Sequence, residues 1–177
     1  MNVLFEQDGL EHLDQLGCEA LILPFFDDER PPRGTLGLVD WRFAGLVSRL
    51  IQRGVVRGEA GATSLLPARR RLPSIDKIFV LGLGPVDGFD AKRFEEAVQV
   101  ILDLARRVKL RTMGLSLPGR SLDRIAPVPA IEAFLRIAEP LIDEATAITI
   151  LDRPDALRAM EPAVALVKRR MRARFDA

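Results

Sequence analysis

The sequence predicts an α/β fold, a three-layer α/β/α sandwich on a mixed, mostly parallel sheet. Short apolar runs suited to strands alternate with amphipathic helical stretches, an order that places helices on both faces of such a sheet. The run KIFVLGL at 77–83 is apolar on consecutive positions, as a strand covered on both sides must be. The length of 177 residues, 48% hydrophobic and 29% charged, fits one domain over 1–177 that buries roughly 70% of its unfolded surface.

Each element has its own signal. Asn2–Glu6 alternates weakly and suits an edge strand, while Ala20–Phe25 is a short apolar run suited to a central one. FDDERPPRGTLG, residues 26–37, mixes charge, proline and glycine and is expected to be a loop. Asp40 then suits the cap of a helix whose apolar positions are Phe43, Ala44, Leu46, Val47, Leu50 and Ile51, with Gly54 at its end. Ala62–Leu66 and Lys77–Leu83 follow as strands. Asp90 caps a second helix with Phe94, Ala97, Val98, Ile101, Leu102, Ala105 and Val108 on one face. Thr112–Leu117 is a further strand, and PGRSLDRIAPVP a loop. A third helix carries Ile131, Phe134, Leu135, Ala138, Leu141 and Ile142, kinked or ended by Pro140. Ala147–Leu151 is the last strand. From Pro154 the chain is helical, with an apolar stripe of Leu157, Met160, Val164, Val167 and Met171 and with Pro162 dividing it.

Composition excludes several classes of function. Lys plus Arg (26) nearly cancels Asp plus Glu (25), so the whole molecule has no field that selects nucleic acid or a membrane surface. No apolar run approaches the ~18 residues of a membrane span, and no targeting segment is visible, so a cytoplasmic location is expected. Cys18, the one cysteine, cannot form an internal disulfide and reads as a small buried hydrophobe opening a strand.

Ligands of open α/β sheets bind beyond the carboxyl ends of strands, which selects residues 26–37, 82–88 and 118–126. PGRS offers backbone N–H groups, a guanidinium and a hydroxyl, suitable chemistry for a phosphate. The ligand-binding candidates are therefore Gly34, Gly37, Pro118, Gly119, Arg120 and Ser121. GLGPVDG at 82–88 lacks the spacing of a dinucleotide fingerprint, and DDE at 27–29 reads as a solvated loop rather than a cation cage. His12, the single histidine, has no identifiable partner, and Ser48 and Ser64 have none to activate them. Basic stretches at 69–73 and 167–175 read as solvated faces, since stacking aromatics are nearly absent. No catalytic residue, metal ligand or cofactor is assigned.

From Leu38 to Gly84 the chain resembles the N-terminal, macro-domain-like domain of the leucyl aminopeptidase family. The matching residues are Leu38, Asp40, Gly45, Leu46, Leu50, Ile51, Gly54, Gly58, Glu59, Gly61, Leu65 and Leu66, then GLG at Gly82–Gly84 and the capping Asp90. The likeness covers about residues 18–118, and TAITILDRPDALRAM resembles the final strand and helix of a macro domain. In that family, zinc is held by a lysine and carboxylates of a separate C-terminal domain, within an NTDGR-like motif that has no counterpart here. The resemblance thus implies an N-terminal domain standing alone, without peptidase activity. Macro domains bind ADP-ribose through an acidic residue, an asparagine-bearing loop and a glycine-rich phosphate loop. The corresponding stretches, LPFFDDERPPRGTLG and SLPGRSLDR, have neither the asparagines nor the GxxG pattern. The leading expectation is a non-catalytic assembly or regulatory module acting through self-association as a homo-oligomer or through a separate protein partner. The alternative is a module binding a nucleotide-like or phosphorylated small molecule in the crevice; a macro-type hydrolase comes third.

Overall fold

The computed structural model describes residues 1–143 and 145–175, without the side chains of Lys168 and residues 170–175. Six strands form one sheet: β1 (Asn2–Gln7), β2 (Cys18–Phe25), β3 (Thr63–Pro67), β4 (Ile75–Gly82), β5 (Thr112–Leu115) and β6 (Ala147–Asp152). Their order is β1-β6-β5-β2-β4-β3, and every neighbouring pair is parallel except β3 with β4. The expected edge position of β1 and interior position of β2 both hold.

The two faces of the sheet are read directly from residue parity in β2. Ala20 and Ile22 join the core beneath α4 (Ala91–Arg107), α5 (Pro127–Ala138) and α6 (Pro154–Phe175). Leu21, Leu23 and Phe25 join the core beneath α1 (Leu10–Gln15), α2 (Gly34–Arg42) and α3 (Leu46–Gln52). Because side chains alternate across a strand, a continuous apolar run feeds both layers. Cys18 is buried at the start of β2, where burial pushes its thiol up to about 11.

Several local expectations change. α1 was not expected; six residues are too few for a periodic signal, yet Leu13 is fully buried and anchors it. The single helix expected after Asp40 is two helices, broken where Ala44 (φ 54°) and Gly45 (φ 74°) turn left-handed. Asp40 lies inside α2, and its carboxylate caps the next helix by accepting from the Ser48 N–H (3.0 Å) and hydroxyl (2.5 Å). Val47 and Ile51 are the buried residues of α3, Leu50 is half-buried, and Ala44 and Leu46 are exposed. Asp90 caps α4 as expected, accepting from the Arg93 N–H at 2.9 Å, but Val108 falls beyond the helix end and is exposed. α5 stops before Pro140. Pro162 does not divide α6, because Leu157, Met160 and Val164 are held in the core on both sides of the one missing backbone donor. Met171, expected on the same stripe, lies outside the described side chains.

Two of the glycines that carry the family resemblance, Gly58 and Gly82, are required by close backbone approach. A Cβ built on Gly82 would lie 2.2 Å from the Glu59 carbonyl oxygen, and one on Gly58 would lie 2.3 Å from the Asp27 Cα. The Gly58–Gly61 turn is pressed against the ends of β2 and β4. Gly61 N–H bonds to the Gly82 carbonyl (2.9 Å), Gly84 N–H to the Gly58 carbonyl (2.7 Å), and Asp27 N–H to the Gly84 carbonyl (2.8 Å). Only residues without side chains allow the backbones this close.

Candidate functional site

A cavity of about 150 Å³ opens beyond the carboxyl ends of β2, β5 and β6, where the topology places ligands of α/β sheets. Its walls come from Asp8 after β1, Ser116 after β5, Asp152 and Arg153 at the end of β6, and Gly34 and Thr35 opening α2. The first residues of α2 have no side-chain cap. Their N–H groups form a partial positive end facing this space. The Ser116 hydroxyl donates to the Thr35 hydroxyl at 2.9 Å, tying α2 to β5.

Arg120 is the centre of the wall and is 5% exposed. It lies in a one-turn 3₁₀ segment, Arg120–Leu122. Its Nε and Nη2 donate to the two Asp152 carboxylate oxygens (2.7 and 3.3 Å), and its Nη1 donates to Asp123 (3.0 Å) and to the Ile125 carbonyl (2.8 Å). Arg153 completes the chain by binding both oxygens of Asp123 at 2.7 and 2.9 Å, which holds the Asp123 carboxyl below its usual range. The guanidinium expected to greet a phosphate is thus committed to protein carboxylates.

The opposite wall rests on Glu29. Its carboxylate accepts from the N–H groups of Arg33 (2.7 Å) and Phe26 (3.2 Å) and from the Ser121 hydroxyl (3.2 Å), so one buried side chain fastens the 26–33 loop to the 3₁₀ turn. Burial pushes the Glu29 carboxyl upward, and burial followed by the charge of Asp152 does the same to Asp8. A glutamate whose folded pKa is raised favours the protonated fold. Its stabilising contribution is full below the unfolded pKa and is lost as pH rises through the folded value. Glu29→Gln removes the titrating charge together with one acceptor, so its change in Tm relative to the parent should be more favourable at pH 8 than at pH 5, as measured by calorimetric melting; an equal effect at both would show that Glu29 is not held in this way.

Of the six candidates named from sequence, Gly34, Arg120 and Ser121 line the cavity. Gly37 is inside α2, where a Cβ would meet the Pro32 carbonyl at 2.6 Å. Pro118 and Gly119 are buried, the latter against the Phe89 ring. The loop expected over 26–37 gives its last four residues to α2. Sequence reasoning missed Asp8, Glu29, Thr35, Ser116, Asp152 and Arg153. The rule about strand ends would have found Asp152 and Arg153 had it been applied to the last strand. Asp27 and Asp28 are exposed, and Asp28 accepts from the Val86 N–H at 3.0 Å. His12 is half-exposed beside Glu6 at 2.6 Å. Arg69, Arg70 and Arg71 are exposed, with Arg69 paired to Asp76. Among the described residues no three His, Cys, Asp or Glu side chains gather as a metal site, and no helix is long and apolar enough to cross a membrane.

Parallel strands, helices on both faces and a crevice at the strand ends define a macro-type α/β fold, and solved structures agree. A Trypanosoma brucei macrodomain, crystallised in complex with ADP, superposes on 92% of this chain and 69% of its own with a TM-score of 0.69 at 16% identity. The tomato leucine aminopeptidase mutant K354E superposes on 92% of this chain and 35% of its own, with a TM-score of 0.59 at 16% identity. Residues 22–139 match the profile of the N-terminal domain of the cytosol aminopeptidase family, and the chain belongs to that family. The probable cytosol aminopeptidase of Synechocystis sp. is 31% identical over 105 residues, 59% of this chain and 21% of that protein. The chain spans about a fifth of the length of this curated relative.

Proposed function

We propose that this chain is a non-catalytic assembly module of the cytosol, acting through self-association. The observation that carries the reading is Trp41, which is 67% exposed on α2, with Val55 (61% exposed) and Leu46 also exposed on the α2–α3 segment. Tryptophan is enriched among residues that anchor protein interfaces. The net charge of +1 sets up no repulsion between copies, which favours a second copy as the occupant. The strand-end cavity supports the same reading from the other side, since about 150 Å³ is below the roughly 300–1,000 Å³ of small-molecule sites.

Trp41 is the only tryptophan and there is no tyrosine, so its emission reports this surface directly. The expected result is an oligomer by light scattering, with emission that shifts to the blue as concentration rises, and a monomer for Trp41→Ala. A parent protein that stays monomeric with unshifted emission would overturn self-association; a separate protein that produces the blue shift would replace it with a heterologous partner.

The proposal also places peptidase chemistry outside this chain. The 177-residue protein with added zinc or manganese should not hydrolyse leucine amide, because no cluster able to hold a catalytic metal pair gathers among the described residues. Turnover that copurifies with the protein and scales with its concentration would refute this.

A second reading is favoured by the uncapped start of α2. A phosphorylated ligand there would take the N–H groups of Gly34 and Thr35 and the Ser121 hydroxyl, with the exposed Arg33 on the rim as the accessible cation. Millimolar ADP-ribose should leave the amide resonances of Gly34, Thr35 and Ser116 unmoved if assembly is the function, and shifts confined to them would establish the second reading instead.

A further inference from the structure

β3 is the last strand of the sheet, and no described strand pairs with its outer side. Gly82 N–H donates to the Ala62 carbonyl (2.8 Å) and Ala68 N–H to the Asp76 carbonyl (3.5 Å), in register with Thr63 opposite Leu81. Bonded pairs alternate along an antiparallel ladder, so Ser64 and Leu66 turn their backbone groups to β4 while Thr63 and Leu65 turn theirs outward. Pro67, also in the outward set, has no N–H to leave open, as an edge permits. Leu65 is 60% exposed, so the edge carries an apolar side chain beside its open donors.

The two ends of this edge differ in charge. The Gly58–Gly61 turn before β3 carries the exposed Glu59 and rests on Asp27. The cations of that end are engaged: Arg30 lies 4.0 Å from Asp27, and Arg57 donates to the Gly54 carbonyl at 3.4 Å. The turn after β3 carries Arg69, Arg70 and Arg71, all exposed. Asp76 takes Arg69 at 2.7 Å, and Arg70 and Arg71 have no ion pair among the described residues. A second copy turned antiparallel brings the acidic end of one strand to the basic end of the other, twice by symmetry. A parallel neighbour would set like charges together.

The edge also borders the surface invoked for self-association. Leu66 shares its core with Val47, Ile51 and Val56, and the same α3 segment exposes Leu46 and Val55. Arg42, next to Trp41, pairs with Asp14, whose carbonyl accepts from the Ser74 hydroxyl (2.9 Å) just past the 69–71 turn.

We infer that two copies of this chain join β3 to β3 in antiparallel register about Leu65, making one continuous sheet. Each Leu65 exchanges both backbone bonds with the other, and each Thr63 N–H donates to the Pro67 carbonyl of the other copy. Glu59 meets Arg70 and Arg71 at each end. The inference rests on the self-association reading and adds the contact that fixes its symmetry.

The test follows amide exchange and mass in the full chain. From dilute to concentrated protein, the Thr63 and Leu65 amides should gain about tenfold or more protection, while Ser64 and Leu66, already bonded to β4, change little. By light scattering at low salt, Glu59→Arg alone, and Arg70→Glu combined with Arg71→Glu, should each weaken association about tenfold, because each variant turns both symmetry-related contacts repulsive. Mixed in equal amounts, the two variants should associate as tightly as the parent, since their heterodimer restores attraction at both ends; mixing would not cure a folding defect. An oligomer whose Thr63 and Leu65 amides exchange at the monomer rate, or variants that mixing does not restore, would overturn the β3 contact and leave self-association standing. A parent that stays monomeric would overturn both. Protection that appears only when a different protein is added would overturn the second copy as occupant and assign the edge to a heterologous strand.

Discussion

Arg120→Ala should destabilise the protein by about 3–5 kcal/mol, the scale of removing one partner from a buried ion pair. Asp152, itself 6% exposed, would lose both guanidinium donors, while Asp123 and the Ile125 carbonyl would each lose one. Urea unfolding measures the loss. A variant within about 1 kcal/mol of the parent, the range of an exposed pair, would mean that Arg120 is not the buried anchor of this wall. Arg120→Met combined with Asp152→Leu should recover much of the stability, because replacing a buried pair by apolar residues of similar volume is often neutral or better. The sequence alone supports the opposite forecast. A cation in a glycine-containing loop past a strand looks available to a ligand, and its removal looks harmless to folding.

Gly82→Ala should cost about 3 kcal/mol, the upper part of the usual range for forcing atoms into a packed interior. The added methyl would meet the backbone of Glu59 and Gly58, which cannot rotate away as a side chain would, and those atoms are held by the bonds linking Gly61 to Gly82 and Gly84 to Gly58. Gly54→Ala is the instructive comparison. At φ 68° it strains one residue, but nothing lies within 4 Å of its Cβ, so its loss should be smaller, near 1 kcal/mol. If thermal melting ranks the two variants the other way, close backbone approach at the end of β4 is not what requires glycine there.

Strands and long helices were legible because their signals are local. The buried run of β4, the capping Asp90 and the three- and four-residue spacing of α4 each express a packing requirement within a few residues of chain. Boundaries that depend on distant partners were not. Asp40 is legible as a cap, but nothing near it in sequence announces that it sits inside one helix and reaches past the left-handed turn at Ala44 and Gly45 to cap the next. α1 was hidden because its reason to exist is a single buried leucine against the sheet.

The site divides along the same line. Sequence located the crevice beyond the strand ends and named Gly34, Arg120 and Ser121 on its wall, since the alternation of strands and helices already implies where such a crevice falls. It could not tell which charges there are free. Arg120 meets Asp152 across 32 positions and Ser121 meets Glu29 across 92, pairings that exist only once the sheet has brought the ends of its strands together. By itself the sequence determined the layer architecture and the family, because hydrophobic period and the spacing of glycines are read along the chain. Only the tertiary structure decided that the prominent cation is internal while Trp41 and Leu65 remain exposed, because burial and charge pairing are set by residues that meet through folding.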